Sequence, residues 1–276
     1  MSNDLVKYKN DMNTLHFHGF SSVDLNMLMT LCSRMRDKDE DVMEFAFEYL
    51  KELMGYKSKD NDRFVNDLDE MNNKLIKVTA SFKTETKKVM FVLFPTFEID
   101  TQKETLKVRV NPDFKYLLNE ITEQFTLFEL QEFVSLSGKY SKNLYRLLKQ
   151  YRRTGTYRID AIEFQKRMDI PEELEKKYHM RNCIKPAIEE LTRLCYFKDL
   201  KVEPVKARKK GAPVTAYEFT FRKSDQIAGQ ESFYDADSFN SYTKNAGLKP
   251  QKGNRFNQFE QHDYNMAELE AQILSN

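Results

Sequence analysis

Residues 178–221 read YHMRNCIKPAIEELTRLCYFKDLKVEPVKARKKGAPVTAYEFTF, and this stretch decides the fold. At about 100° per residue, Ile184, Ala187, Ile188, Leu191 and Leu194 share one face of a helix. Arg181, Asn182, Lys185 and Glu189 share the other. A helix is therefore expected over 178–194, with Pro186 either at its N1 position or kinking a longer helix. Two strand-like runs follow, 197–205 and 214–221, on either side of Lys206-Ala207-Arg208-Lys209-Lys210-Gly211. A helix followed by a basic hairpin is how a winged helix ends.

Working outward, residues 126–151 form a long amphipathic stretch, bent at Gly138, with Leu136, Tyr140, Leu144, Leu147 and Leu148 on one side. Thr154-Gly155 stops it. Asp160 then begins a short helix through Ile162, Phe164 and Met168, which Ile170-Pro171 ends. The first half follows the same plan. Ser22 is read as the N-cap of a helix carrying Val23, Leu25, Leu28, Met29 and Cys32. A short strand at 42–47 and a helix through Leu50 and Met54 to Gly55 come next. Asp62 is read as the cap of a third helix with the stripe Phe64, Leu68, Met71 and Leu75. Strand-like stretches at 75–82, 89–99 and 105–110 precede a short helix opened by Pro112 and running through Phe114, Leu117 and Leu118. The expectation is an α+β chain of two tandem winged-helix domains, 1–125 and 126–223. Residues 224–276 are expected to be a flexible acidic tail ending in a short amphipathic motif, 266–274.

Charge separates the two halves. The formal balance is −4 for residues 1–125, +9 for 126–223 and −4 for 224–276, although the whole chain carries only +1. A segregated positive field concentrates polyanions, so nucleic acid is the first partner to consider. Forty per cent hydrophobic residues supply real cores. No apolar run approaches the ~18 residues of a membrane span, and Met1-Ser2-Asn3-Asp4 does not open a signal peptide. Cys32, Cys183 and Cys195 are odd in number and lack CxxC spacing, which fits reduced thiols in the cytoplasm. Four scattered histidines suggest no metal site, and no cofactor is expected.

The candidate DNA contacts follow from these faces. Arg181 and Lys185 can donate to guanine, Asn182 can pair with adenine, and Glu189 can accept from cytosine in a major groove. Lys206, Arg208, Lys209 and Lys210 in the wing suit phosphates or an adjacent minor groove. Lys142, Arg146, Arg152 and Arg153 are expected to hold the DNA backbone from the first helix of the basic half. The equivalent third helix of the first half carries Asp62, Asp67, Asp69 and Glu70. Weaker DNA contact is expected there, through Asn72, Asn73, Lys74 or the first wing.

At these residues the chain resembles the replication initiators of iteron-bearing, theta-replicating plasmids, a tandem winged-helix family. The likeness covers about residues 5–222. It rests on Lys7-Tyr8-Lys9-Asn10-Asp11-Met12-Asn13, Phe97-Glu98-Ile99-Asp100 and Val110-Asn111-Pro112-Asp113-Phe114-Lys115-Tyr116-Leu117-Leu118. It continues through Phe125-Thr126-Leu127-Phe128-Glu129-Leu130, the tyrosine-rich run 140–151 (YSKNLYRLLKQY) and Lys185-Pro186-Ala187-Ile188-Glu189-Glu190-Leu191. The resemblance implies binding to repeated double-stranded sites at a plasmid origin, opening of the nearby duplex with a host initiator, and loading of the replicative helicase. It also implies dimers that repress the initiator's own gene and monomers that start replication. It offers no catalytic residues. His16-Phe17-His18 is more polar than the family pattern leads one to expect, and the tail lies outside the match.

Two other functions compete. His16-Phe17-His18 fits the His-hydrophobic-His signature of rolling-circle nickases, and Tyr145 with Lys149 gives a Tyr-x-x-x-Lys spacing for a covalent tyrosine. Both motifs are short, and Tyr145 sits among leucines at helical spacing. A plain transcriptional regulator would share the same DNA-binding surface. The sequence holds no GxxxxGK[ST] phosphate loop.

Overall fold

The computed structural model describes residues 4–36, 38, 42–83, 88–112, 115–118, 124–208 and 211–223. The expectations placed on Phe114, Lys209, Lys210 and the tail 224–276 lie outside the described residues.

The chain opens with β1 (Leu5–Lys9) and a 3₁₀ turn (Asn10–Thr14), then α1 (Ser22–Met35). The cap of α1 is Ser21, one residue before the expected Ser22. Its hydroxyl accepts from the Asp24 N–H while the Asp24 carboxylate accepts from the Ser21 N–H. This reciprocal box satisfies two N–H groups that a helix start otherwise leaves open. β2 (Met43–Ala46), α2 (Phe47–Leu53) and α3 (Asn61–Leu75) follow. α3 is capped by Asp60 rather than Asp62, its carboxylate taking the Asp62 and Arg63 N–H groups. Phe64, Leu68, Met71 and Leu75 are its buried stripe, as the spacing predicts.

A hairpin of β3 (Thr79–Lys83) and β4 (Lys88–Val92) precedes β5 (Thr96–Asp100) and β6 (Thr105–Arg109). The stretch 89–99 is thus two strands, separated around Pro95, which has no N–H for a ladder. The helix before them runs to Leu75, so the first of these strands begins four residues later than 75. α4 (Lys115–Leu118) leads to β7 (Phe125–Glu129), α5 (Leu130–Ser135), α6 (Lys139–Gln150), β8 (Thr156–Asp160) and α7 (Ala161–Arg167). α8 (Lys176–His179), a π-helical turn (Met180–Ile184) and α9 (Lys185–Arg193) form one continuous helical run, and β9 (Lys201–Lys206) and β10 (Val214–Thr220) close the fold.

The two halves share a topology. In the first, an edge strand and a short helix (β2, α2) lead to α3 and a hairpin, with sheet order β2-β6-β5. In the second, β8 and α7 lead to the α8–α9 run and a hairpin, with order β8-β10-β9. In both sheets the last strand is central and antiparallel to its neighbours. That is the winged-helix plan, twice.

Three departures have physical causes. Residues 126–151 are not one bent stretch but β7, α5 and α6. Thr126, Leu127 and Phe128 are all buried, so β7 shows none of the alternation by which a half-exposed strand is recognised. β1 and β8 lie outside the strands that the spacing predicts; each sends just two side chains to the core, Val6 and Tyr8 from β1 and Tyr157 and Ile159 from β8. Finally, the expected divide between 125 and 126 falls inside β7, which pairs antiparallel with β1 from Leu5↔Glu129 to Lys9↔Phe125. α1 packs on both α5 and α6, and one hydrophobic core runs through both winged helices.

Candidate nucleic-acid interface

The outward side of the α8–α9 run carries the residues that the sequence assigned to base contact. Arg181, Asn182, Lys185 and Glu189 are exposed, while Cys183, Ile184, Ala187 and Leu191 are buried. Pro186 is compatible with the helix because it stands at its start, in the second position of α9, just after the π-turn. Arg181 lies over the Tyr178 ring at 5.3 Å, and its Nε donates to Asn182 Oδ1 at 3.1 Å. Stacking and that hydrogen bond hold a flexible guanidinium in place, which lowers the entropy lost when it meets a base.

The wing stands beside this helix. Lys206 and Arg208 are exposed, and the Ala207 N–H donates to Pro213 O at 2.9 Å across the base of the turn. Gly211 adopts φ +83°, a conformation that costs a side-chain-bearing residue energy. Between the helix start and the wing runs a groove of about 520 Å³ lined by Lys176, Lys177, Met180, Pro204 and Lys206. Lys176 and Lys177 lie ahead of the helix expected over 178–194, whereas the helical run begins at Lys176. The run of two lysines before Tyr178 was the available signal.

The first helix of the basic half is a correction. Lys142 and Arg146 are both wholly buried and cannot reach a phosphate. Lys142 Nζ donates to the Phe133 and Val134 carbonyls at 2.7 and 3.4 Å, satisfying the last turn of α5. Burial pulls its ammonium down to about 7, against a smaller opposing effect of Glu190. The Arg146 guanidinium donates to Asn143 Oδ1, Asn13 Oδ1 and Arg167 O at 3.1, 3.1 and 3.4 Å and lies over the Phe17 ring. Asn13 in turn donates to Thr126 Oγ1 and Gln150 Oε1 and accepts from the Tyr8 hydroxyl. This network ties the N-terminal segment to α6. Arg152 is half-buried, with one N–H donated to Leu127 O at 3.1 Å, whereas Arg153 is exposed.

Glu190, on the inner side of α9, was not singled out in the sequence. Its carboxylate accepts from the Ser137 N–H, the Ser137 hydroxyl and the Gly138 N–H at 2.7, 2.6 and 3.3 Å. Gly138 caps α6 without a side chain, so α9 supplies the missing cap from a distance. Burial alone would raise the Glu190 carboxyl; these hydrogen bonds outweigh it and hold it below its ordinary value. α9 is thereby fixed in angle against α6.

In the first half, α3 presents Asp62, Asp69 and Glu70 to solvent, and Asn73 is engaged by Asp69. Lys74 is bound to the Asp24 carboxylate at 2.7 Å, so its charge is already matched. The nickase arrangement is not assembled. His16 and His18 face different carboxylates, Glu163 at 3.6 Å and Asp169 at 2.9 Å. Tyr145 is wholly buried, its hydroxyl donating to Glu132, with Phe128, Phe133, Tyr196 and Phe197 around the ring. Among the described residues no cluster of three or more His, Cys, Asp or Glu side chains could hold a metal ion, and no helix is long and apolar enough to cross a membrane.

Two winged helices in tandem, with exposed cations on the second, define a fold of the DNA-binding class. Residues 5–149 match the family "Initiator Replication protein, WH1" and residues 161–221 match "Initiator Rep protein, WH2". The chain belongs to this family of initiator replication proteins. A "Probable replication protein rep" of Bifidobacterium longum (strain NCC 2705) is 34% identical over 226 residues, covering 81% of this chain and 74% of that protein. Among solved structures, the Pi initiator protein in complex with iteron DNA has a similar fold, with TM-score 0.60 and 14% identity. That likeness covers 82% of this chain and all of the other.

Proposed function

We propose that this initiator binds iteron repeats at a plasmid origin, with the second winged helix supplying most of the base readout. The observation that carries this is the exposed set Arg181, Asn182, Lys185 and Glu189 on one helical run, beside Lys206 and Arg208 on the wing. Donors and acceptors on the helix suit base edges in a major groove, and cations on the wing suit phosphates. The Pi initiator's complex with iteron DNA supports the choice of ligand.

In this account the protein has no catalytic role. It opens the adjacent duplex with a host initiator and helps recruit the replicative helicase in the cytoplasm, and as a dimer it represses its own gene. The acidic outer face of α3 limits the first winged helix to weaker contact with phosphates. Footprinting of the DNA flanking the coding gene tests the reading: direct repeats protected at a regular helical phase support it. A protein that silences its promoter yet fails to sustain an origin plasmid in its host is a regulator instead.

A further inference from the structure

The α8–α9 run contains one turn wound differently from the rest. In an α-helix the Lys185 N–H would donate to Arg181 O; here it donates to Met180 O, five residues back. The next residue is Pro186, which has no N–H and whose ring would press on the carbonyl four residues before it in a regular α-helix. Widening the preceding turn relieves that clash and leaves the proline at the start of α9.

A π-turn holds one extra residue, so everything N-terminal to it is rotated by about one α-helical step, roughly 100°. Counted back from Lys185 along an unbroken α-helix, position 178 would point outward with Lys185, and positions 177 and 179 would lie to either side. With the extra residue, position 177 takes the outward line and position 179 turns to the core. The burial follows the second pattern. Lys177 is exposed, Tyr178 is half-buried and His179 is wholly buried, its Nε2 donating to Leu174 O at 2.8 Å with the Tyr217 hydroxyl 3.4 Å from Nδ1. Lys177 pairs with an exposed Glu175 carboxylate at 2.8 Å and lies 4.8 Å from the centre of the Tyr178 ring; both are surface contacts that leave the ammonium able to meet a phosphate.

We propose that Pro186 is a positioning residue for DNA readout. By imposing the π-turn, it brings Lys177 into line with Lys185 and Glu189 and sets how Arg181 meets the groove. The proposal rests on the assignment of this helix as the reader.

The test compares the full chain with K177A, K185A, P186A and K177A/P186A on origin repeats and on a randomised-site library. K177A in the unaltered backbone is expected to lower the salt slope by about one unit. P186A is expected to change base preference about tenfold at positions read by the front of the helix, although it removes no polar contact. In the P186A background, K177A is then expected to have no further effect. Burial holds the His179 imidazole below its ordinary value, so NMR titration in P186A is expected to show it rising as the ring leaves the core. Unchanged base preference in P186A, or the same K177A loss in both backgrounds, overturns the proposal. If P186A does not fold, an unchanged salt slope in K177A alone overturns it. K185A with full base preference overturns the reader assignment itself.

Discussion

Lys142 and Arg146 show how a residue's type misleads about its place. Their charges suggest a solvated face, yet they lie in a helix where every residue from Ser141 to Leu148 is buried. The helix has a polar side by period, but α5, α7 and the N-terminal segment cover that side too, and periodicity cannot tell a covered polar face from a wet one. Lys142 gives a pH-dependent signature. The unfolded side chain keeps its proton up to about 10.5, while the folded one releases it near 7. Below pH 7 both states are protonated and the fold carries the whole cost of the buried charge. Between about 7 and 10.5 the unfolded chain binds more protons, so stability rises with pH. The thermal stability of the wild type should therefore gain on that of Lys142→Met between pH 6.5 and 9; a constant gap would contradict this. Arg146→Met removes the donor to Asn143 Oδ1 and one of the two donors to Asn13 Oδ1, which keeps the Tyr8 hydroxyl. It should destabilise by about 3 kcal/mol in denaturant titration and leave the salt slope of DNA binding unchanged, because the guanidinium faces no phosphate. By contrast, Arg181→Ala or Lys185→Ala should cost about 1–3 kcal/mol of binding to the preferred site and relax base preference, as measured on single-base variants.

At the level of elements, what was legible in the sequence is what has one wet face. The stripes of α3 and α9, the Asp160 cap of α7 and the β2–α2 pair were readable because apolar and polar positions alternate at a helical or strand period. β7 was not readable, being covered on both sides; the break before α6 was legible as a bend at Gly138, but what holds it was not. That break depends on Glu190, more than fifty residues away in sequence, which accepts the N–H groups of Ser137 and Gly138. No local pattern announces a cap supplied from another helix. The wing separates from the helix in role. Arg208→Ala should weaken binding to specific and random duplexes alike and lower the salt slope by about one unit. A loss confined to the specific site would place Arg208 on a base edge instead.

For the molecule as a whole, the two winged helices share a topology but not a charge. The acidic outer face of α3 and the mixed, cation-rich face of the α8–α9 run stand at equivalent places in the two halves. This division was visible in the sequence as a shift from −4 to +9 across the chain. What the charge count missed is that two of the cations hold the core together, and that β1 and β7 join the start of the chain to its middle. The central claim, that the second winged helix and not the first reads the bases, is tested most directly by cross-linking. A photo-activated group attached through a cysteine at position 185 should cross-link to bases within a repeat, and one at position 69 in α3 should not. Base cross-links from position 69 and none from position 185 would contradict the account.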